Sequence, residues 1–279
     1  MTIVCTSDKK YIPVFESLYF SIRQNHENCQ IVLRLIDCDS LDLCTDVRYD
    51  PNVRVIVDHQ NLSAKRNKLT IDQHVLQDTV WASMRKKYTK TRGPRWFYSD
   101  LVAYASNIKY NTINTLLDEG VQRILYMDVD AIVRKPLNGL EELIDKSDIV
   151  IMKDKGDTNP SLIKPISEPD GILWHCGIIG LNNTDTTRSF CKELENRVME
   201  DKFEWDADQI QFHNVFNEFI DKIEFTNLPR TYKDEGGGDH RLGGIKGFSD
   251  ESHIWCGAGE SKYTDKGYVN ECKKYGEYL

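Results

Sequence analysis

The sequence predicts an α/β domain whose mostly parallel sheet is flanked by helices. Short runs of Ile, Val and Leu alternate with segments that carry apolar residues at helical spacing, a pattern typical of βαβ units. A length of 279 residues suits one large domain of this class. The most apolar stretch, residues 123–133, contains two acids one residue apart, and we expect it to be a central parallel strand.

The first third of the chain contains three apolar runs that we expect to be strands. These runs are residues 3–5, 29–37 and 53–57. Between the first two, residues 11–25 carry Val14, Leu18 and Ile22 at helical spacing, which predicts a helix. Residues 58–95 are polar and irregular, and we interpret them as a peripheral helical excursion.

Apolar residues return to helical spacing between residues 95 and 117, and Gly120 ends this predicted helix before the central strand. Its buried face would be Leu101, Tyr104, Ala105, Ile108, Ile113, Leu116 and Leu117. Further strands are predicted at residues 148–152, 171–182 and 221–225, and further helices at residues 140–144, 185–201 and 206–219.

The composition argues against several classes of protein. A net charge of −8 lacks the basic footprint that nonspecific nucleic-acid binding requires. No apolar run approaches the length of about 18 residues that a membrane span needs, and the early first strand leaves no room for a signal peptide. Eight cysteines are scattered without a C-x-x-C pair, so we expect buried thiols in a reducing compartment and a cytoplasmic protein.

Asp128 and Asp130 lie where the central strand is expected to end, the place where ligands bind in open α/β sheets. Both carboxylates can face one pocket, and they repel each other unless a cation lies between them. Oxygen ligands of this kind suit Mg²⁺ or Mn²⁺. Acid pairs at strand ends also serve as helix caps or solvated loop residues, but the apolar residues on both sides of this pair favour a metal site.

Other polar residues at predicted strand ends could complete a nucleotide site. Asp8 and Tyr11 follow the first strand. The Tyr11 ring could stack on a base, and the Asp8 carboxylate could accept a hydrogen bond from the base or the sugar. His253 could be a third metal ligand, while Gly257 and Lys262 could contact phosphate. Each of these residues has a structural alternative. Asp8 could be a helix N-cap, Tyr11 a core ring, His253 a structural histidine and Lys262 a surface lysine. Together they fit a metal-bridged nucleoside diphosphate.

The motifs in this order resemble those of GT-A glycosyltransferases, in particular glycosyltransferase family 8. The matching residues are 3–11, Tyr104-Ala105, 125–133 with the D-x-D, 175–182, Asp208-Gln209 and 253–262, which together span nearly the whole chain. The chain departs from the family in three ways, one of which is a longer spacing from His253 to Gly257 and Lys262. His175 replaces the asparagine of an N-A-G strand, and Ser106 replaces the arginine after Tyr-Ala, so that Arg95 or another basic residue would replace its contacts.

The resemblance implies a single GT-A (Rossmann-like) domain over residues 1–279, with a nucleotide-binding half at 1–135 and an acceptor half with the closing segment at 136–279. It implies hexosyl transfer from a nucleotide-diphosphate sugar, with UDP favoured, to a hydroxyl of a glycan, lipid-linked or protein acceptor. Retention of configuration is expected, with inversion left open. Mn²⁺ or Mg²⁺ would be bound by Asp128, Asp130 and His253. The donor would contact Thr6, Asp8, Tyr11, Arg95, Asp128, Gly257 and Lys262, and Asp208 and Gln209 would line the reacting face.

Two other functions stay open from the sequence. Phosphatases of the haloacid dehalogenase class also carry D-x-D after an apolar strand, although their motif lies near the N-terminus and this one begins at residue 128. The second alternative is a non-catalytic module that binds a sugar or nucleotide on the same fold.

Overall fold

The structure is a computed structural model that describes residues 1–62, 67–68, 97–153, 174–203, 207–236, 247–257 and 265–276. Its strands are β1 Thr2–Asp8, β2 Gln30–Ile36, β3 Val53–Asp58, β4 Asn67–Lys68, β5 Phe97–Tyr98, β6 Arg123–Met127, β7 Ala131–Val133, β8 Ile149–Lys153, β9 Trp174–Asn182, β10 Phe225–Asn227 and β11 Ile254–Cys256. Its α-helices are α1 Ile12–Asn25, α2 Thr45–Tyr49, α3 Asp100–Asn107, α4 Lys109–Asp118, α5 Asn138–Asp145, α6 Asp185–Glu200, α7 Ala207–Phe219 and α8 Lys266–Lys273.

A seven-stranded sheet in the order β10-β8-β9-β6-β1-β2-β3 lies at the centre of the fold. Strands β1, β2, β3 and β6 pair in parallel, and β10 pairs in parallel with β8. Strand β9 runs antiparallel to both of its neighbours, β6 and β8. The prediction of a mostly parallel sheet is therefore confirmed, and the carboxyl ends of β1, β2, β3 and β6 form one edge.

Both faces of the sheet are buried, which explains why its strands are continuous apolar runs. On one face, Ile3 and Leu125 pack in a core with Phe15 and Leu18 of α1. On the other face, strand residues pack against α4, α6 and α7 in a second core. Its members include Val4, Tyr126, Ile179, Ile113, Leu117, Phe190, Phe212 and Phe216.

The apolar stretch at residues 123–133 forms two strands, β6 and β7, separated by a turn that contains the two acids. The N–H of Ala131 donates to the carbonyl of Asp128 at 3.1 Å, a backbone bond that closes a tight turn. After that turn, β7 pairs antiparallel with β11, with Ala131 opposite Cys256. The two acids therefore lie in the turn itself, at the carboxyl edge of the sheet.

Other element boundaries also differ from the prediction. The helix expected at residues 95–117 begins at Asp100, where the Ser99 hydroxyl accepts from the N–H of Val102, and it divides into α3 and α4 at Ile108. The strand expected at residues 221–225 starts at Phe225, because the N–H groups of Lys222 and Ile223 still bond to Phe219 at the end of α7. Most of the excursion expected at residues 58–95 lies outside the described residues.

The eight cysteines are free thiols, six of them buried and two half-buried. The burial of six of them confirms that most of the cysteines act as small apolar residues. In the parts of the chain that the structure describes, no helix combines the length and apolar composition needed to cross a membrane.

His213 of α7 is buried in the aromatic core, and we expect it to make the fold sensitive to acid. Trp174 donates its indole N–H to Nδ1 at 3.3 Å, and burial lowers the pKa of His213 from 6.5 to about 4. Between those values the unfolded chain binds a proton that the folded chain does not, so the free energy of unfolding falls as the pH drops below 6.5 and levels off below about 4. The loss reaches about 3 kcal/mol.

Urea denaturation between pH 8 and pH 4 measures this effect. The variant His213→Gln keeps a polar side chain that does not titrate, so its stability should change less with pH than that of the wild type. Equal slopes for the two proteins across this range would contradict the assignment.

Candidate active site

The Asp128 carboxylate is fixed from two sides at the end of β6. Its Oδ1 accepts a hydrogen bond from the Tyr126 hydroxyl at 2.8 Å, and its backbone N–H donates to the carbonyl of Gly177 in β9 at 2.8 Å. Its Oδ2 faces Gly177, where an added Cβ atom would lie only 2.6 Å away. The half-buried carboxylate thus occupies space that Gly177 leaves by having no side chain.

Asp130 is held in the turn through its backbone carbonyl. Its carbonyl accepts the N–H of Gly257 at 2.7 Å and the hydroxyl of Tyr268 in α8 at 2.5 Å. The N–H of Gly257 is therefore directed at Asp130, whereas the sequence interpretation directed it at phosphate. The acid turn is connected in this way to both β11 and the C-terminal helix.

His253 lies away from the acid pair, which corrects its predicted position. Gly257 is the residue that faces Asp130, and His253 lies four positions earlier, about 13 Å along an extended strand. Its Nδ1 donates to the carbonyl of Pro136 at 2.7 Å, and its ring stacks on Tyr232 with centroids 4.6 Å apart. These contacts fit the structural alternative for this histidine.

At the carboxyl end of β1 the structure places Thr6, Asp8 and Tyr11. The Thr6 hydroxyl is buried and has no hydrogen-bond partner among the described residues, so a polar ligand atom could satisfy it. Asp8 is buried, and its Oδ1 accepts the N–H of Tyr11 at 3.1 Å, so it caps the short 3₁₀ helix at Lys9–Tyr11. The Tyr11 ring is half-buried against two core clusters. Arg95 and Lys262 lie outside the described residues.

Asp208 forms a buried ion pair with Lys109 of α4. The Lys109 Nζ lies 2.6 Å from Oδ2 of Asp208, and it also donates to the carbonyl of Cys176 at 3.1 Å. Burial disfavours the charge on Lys109, but the carboxylates of Asp208 and Asp128 outweigh it and raise the pKa of that lysine. Beside this pair, the amide Oε1 of Gln209 is buried, and no residue in the described part of the chain forms a hydrogen bond with it.

A second buried cation, Lys233, lies on the other side of Asp128. Lys233 is only 6% exposed and forms an ion pair with Glu235. Oε1 of Glu235 is 3.9 Å from Nδ1 of His175 in β9. Burial disfavours the charge on Lys233, but Glu235 more than compensates and the pKa of Lys233 is raised.

The sequence interpretation did not select Lys109, Lys233 or Glu235. The sequence contained a usable signal for Lys109, because this lysine directly follows Ile108 in a predicted helix with an apolar face. The sequence contained no such signal for Lys233 and Glu235, since both lie in a run of charged residues that is typical of a solvated loop.

No protein-family model and no curated protein matches the sequence. Solved structures do match it. The galactosyltransferase LgtC, in complex with donor and acceptor sugar analogs, superposes with a TM-score of 0.54 at 12% identity, covering 100% of this chain and 97% of that chain. The chain has a GT-A fold. This confirms the fold class expected from the sequence.

Two larger proteins share the GT-A fold with this chain. The apo-form glycosyltransferase GlyE of Streptococcus pneumoniae TIGR4 gives a TM-score of 0.56 at 14% identity, covering 97% of this chain. The bifunctional glycosyltransferase WbbM gives a TM-score of 0.53 at 16% identity, covering 98% of this chain. The chain spans 59% of the GlyE chain and 49% of the WbbM chain. Identities this low establish the fold, so substrate and chemistry must be inferred from the site.

Proposed function

We propose that the chain transfers a hexose from a nucleotide-diphosphate sugar, preferably a UDP-sugar, to the hydroxyl of a glycan, lipid-linked or protein acceptor. The observation that carries this proposal is the turn with Asp128 and Asp130, held at the carboxyl edge of the sheet in a GT-A fold. Ligands of open α/β sheets bind at that edge. The resemblance to glycosyltransferase family 8 over the same motifs supports the proposal.

The two acids fit part of a Mn²⁺ or Mg²⁺ site. Among the described residues, no three His, Cys, Asp or Glu side chains converge into a metal site. Such ions are commonly held by one or two carboxylates while substrate phosphates supply further oxygens, which matches the pair Asp128 and Asp130. When bound, the ion would offset the negative charge of the departing diphosphate.

The remaining groups would bind and orient the donor. The Thr6 hydroxyl and the Gln209 amide oxygen are buried and lack hydrogen-bond partners within the described ranges, so each would gain a hydrogen bond from a polar ligand. Asp208 is engaged by Lys109, which supports a role in orienting the reacting face beside Gln209. We therefore propose that the transferred sugar retains its anomeric configuration. NMR of the product anomer tests this proposal.

A thermal-shift panel of UDP-, GDP- and CMP-sugars, with and without Mn²⁺, tests the proposed function. We expect stabilisation by at least one UDP-sugar that increases with Mn²⁺. Calorimetry with the free nucleotide then measures the affinity. Stabilisation by no nucleotide would contradict the proposal. Binding without turnover against any acceptor would instead indicate a non-catalytic module, and steady phosphate release from a phosphomonoester would indicate a phosphatase.

Gly177→Ala should weaken Mn²⁺-dependent nucleotide binding by about tenfold or more, with little loss of stability. Its new methyl group meets Oδ2 of Asp128 at 2.6 Å, so the carboxylate must move. Gly180→Ala, on the same strand, is the matched control because its methyl group meets Ile144 at 2.7 Å in the core. That variant should be destabilised by about 1–3 kcal/mol and keep its nucleotide affinity. Equal nucleotide affinity in both variants would contradict the placement of Asp128 at the donor site.

A further inference from the structure

The segment at residues 233–235 passes beside β11, where Asp234 forms a bridge with Trp255 and the flanking Lys233 and Glu235 form an ion pair. Asp234 points outward, where its carboxylate accepts the N–H of Ser249 and the hydroxyl of Ser252, both at 2.7 Å. The side chains of Lys233 and Glu235 form an ion pair with each other and not with these serines. The contacts of Asp234 therefore hold the backbone that carries both members of this ion pair.

Lys233 lies beside the acid turn. The position of a Cβ atom on Gly177 would be 3.8 Å from Cε of Lys233 and 2.6 Å from Oδ2 of Asp128, so both side chains border the same small volume. Lys233 is bound there by Glu235, and this ion pair is almost entirely shielded from water. A charge held in such surroundings acts strongly on its neighbours, because little solvent screens it.

The ammonium group of Lys233 has two opposite effects on the ligands of the proposed donor site. It offsets part of the negative charge of Asp128 and Asp130, which lowers the attraction of that turn for a divalent cation. It also attracts a diphosphate. Once a diphosphate is bound, its negative charges outweigh the lysine and restore the attraction for the cation.

We propose that Lys233 is a built-in counter-charge that makes the binding of a divalent cation at Asp128 and Asp130 depend on a bound nucleoside diphosphate. This inference rests on the proposed function, since it assumes a metal and a diphosphate at this edge. Glu235 sets the strength of this effect, because it holds the ammonium group of Lys233 in place and offsets part of its charge.

Mn²⁺ binding to the full chain, measured by electron paramagnetic resonance with and without UDP, tests the inference. Lys233→Gln should bind Mn²⁺ about tenfold more tightly than the wild type when UDP is absent, and should bind UDP about tenfold more weakly when Mn²⁺ is absent. Glu235→Gln should bind Mn²⁺ more weakly when UDP is absent and bind UDP more tightly when Mn²⁺ is absent, because it releases Lys233 toward Asp128. A merely damaged site would weaken both ligands in both variants.

Lys233→Arg keeps the charge and should resemble the wild type, which preserves the test if Lys233→Gln does not fold. Lys192→Gln removes a lysine that is 64% exposed in its side chain and serves as the control for net charge. If Mn²⁺ binding is measurable with UDP, but Lys233→Gln and Glu235→Gln bind Mn²⁺ with the same affinity as the wild type, only the further inference is overturned. Absence of Mn²⁺ binding in every variant, with and without UDP, overturns the metal-dependent function as well.

Discussion

Asp130→Ala is expected to lower Mn²⁺-dependent sugar transfer by about 100- to 1,000-fold while the protein remains folded. The turn that contains Asp130 is held by its backbone carbonyl, which accepts from Gly257 and Tyr268. Removing the side chain leaves both of these backbone hydrogen bonds in place, so the turn should keep its backbone path. It also removes one of the two carboxylates proposed to hold the cation, so charge stabilisation of the leaving diphosphate is lost.

Calorimetry with UDP and Mn²⁺ and donor hydrolysis measure the two parts of this effect. Asp221→Ala is a suitable control, because it removes the same charge from an exposed turn far along the chain from the acid pair. Circular dichroism should show the same melting temperature for wild type and Asp130→Ala within a few degrees. Full transfer activity in Asp130→Ala would show that the cation, if it is needed, binds elsewhere.

Lys109→Met should reduce the free energy of unfolding by about 3–5 kcal/mol. Lys109 is 1% exposed and Asp208 is 3% exposed, so loss of the lysine leaves a carboxylate buried without its counter-charge. The carbonyl of Cys176 also loses the hydrogen bond from Nζ. The large cost comes from the unpaired charge, because exposed ion pairs contribute at most about 1 kcal/mol.

The double variant Lys109→Met/Asp208→Leu separates the cost of an unpaired charge from that of lost packing. Replacing both members of a buried pair by apolar residues is often neutral, so the double variant should be more stable than either single variant. Urea denaturation of the four proteins gives the interaction energy. Simple addition of the two single effects would show that Lys109 and Asp208 do not act as a pair.

The fold could be predicted from the sequence because its main strands are long apolar runs separated by clear helical periods. The predicted strands at residues 3–5, 29–37 and 53–57 are β1, β2 and β3, and the predicted helix at residues 11–25 is α1. The end of the central strand at the acids was expected, but the departure of the chain from the main sheet after residue 130 could not be predicted, because apolar residues continue beyond the turn. Only the pairing of β7 with β11, far apart in sequence, shows that the chain leaves the main sheet there.

The site was predictable in part. The acids Asp128 and Asp130 stood out because they interrupt an apolar stretch, and the structure places them at the edge of the sheet. His253 was misplaced because distance along β11 decides its position, and the antiparallel register with β7 is invisible in a linear pattern. Lys109 and Lys233 acquire their meaning from burial and from partners brought together by the fold, which composition and spacing do not record.

The bond between the Tyr268 hydroxyl and the carbonyl of Asp130 joins residues 138 positions apart. The acid turn therefore reaches its final geometry only after the last helix has been synthesised and has docked. A nascent chain that is still attached to the ribosome near residue 250 can form most of the central sheet, but it has neither Gly257 nor Tyr268 to hold that carbonyl. Assembly of the central sheet and completion of the proposed donor site are thus separated in time during biosynthesis.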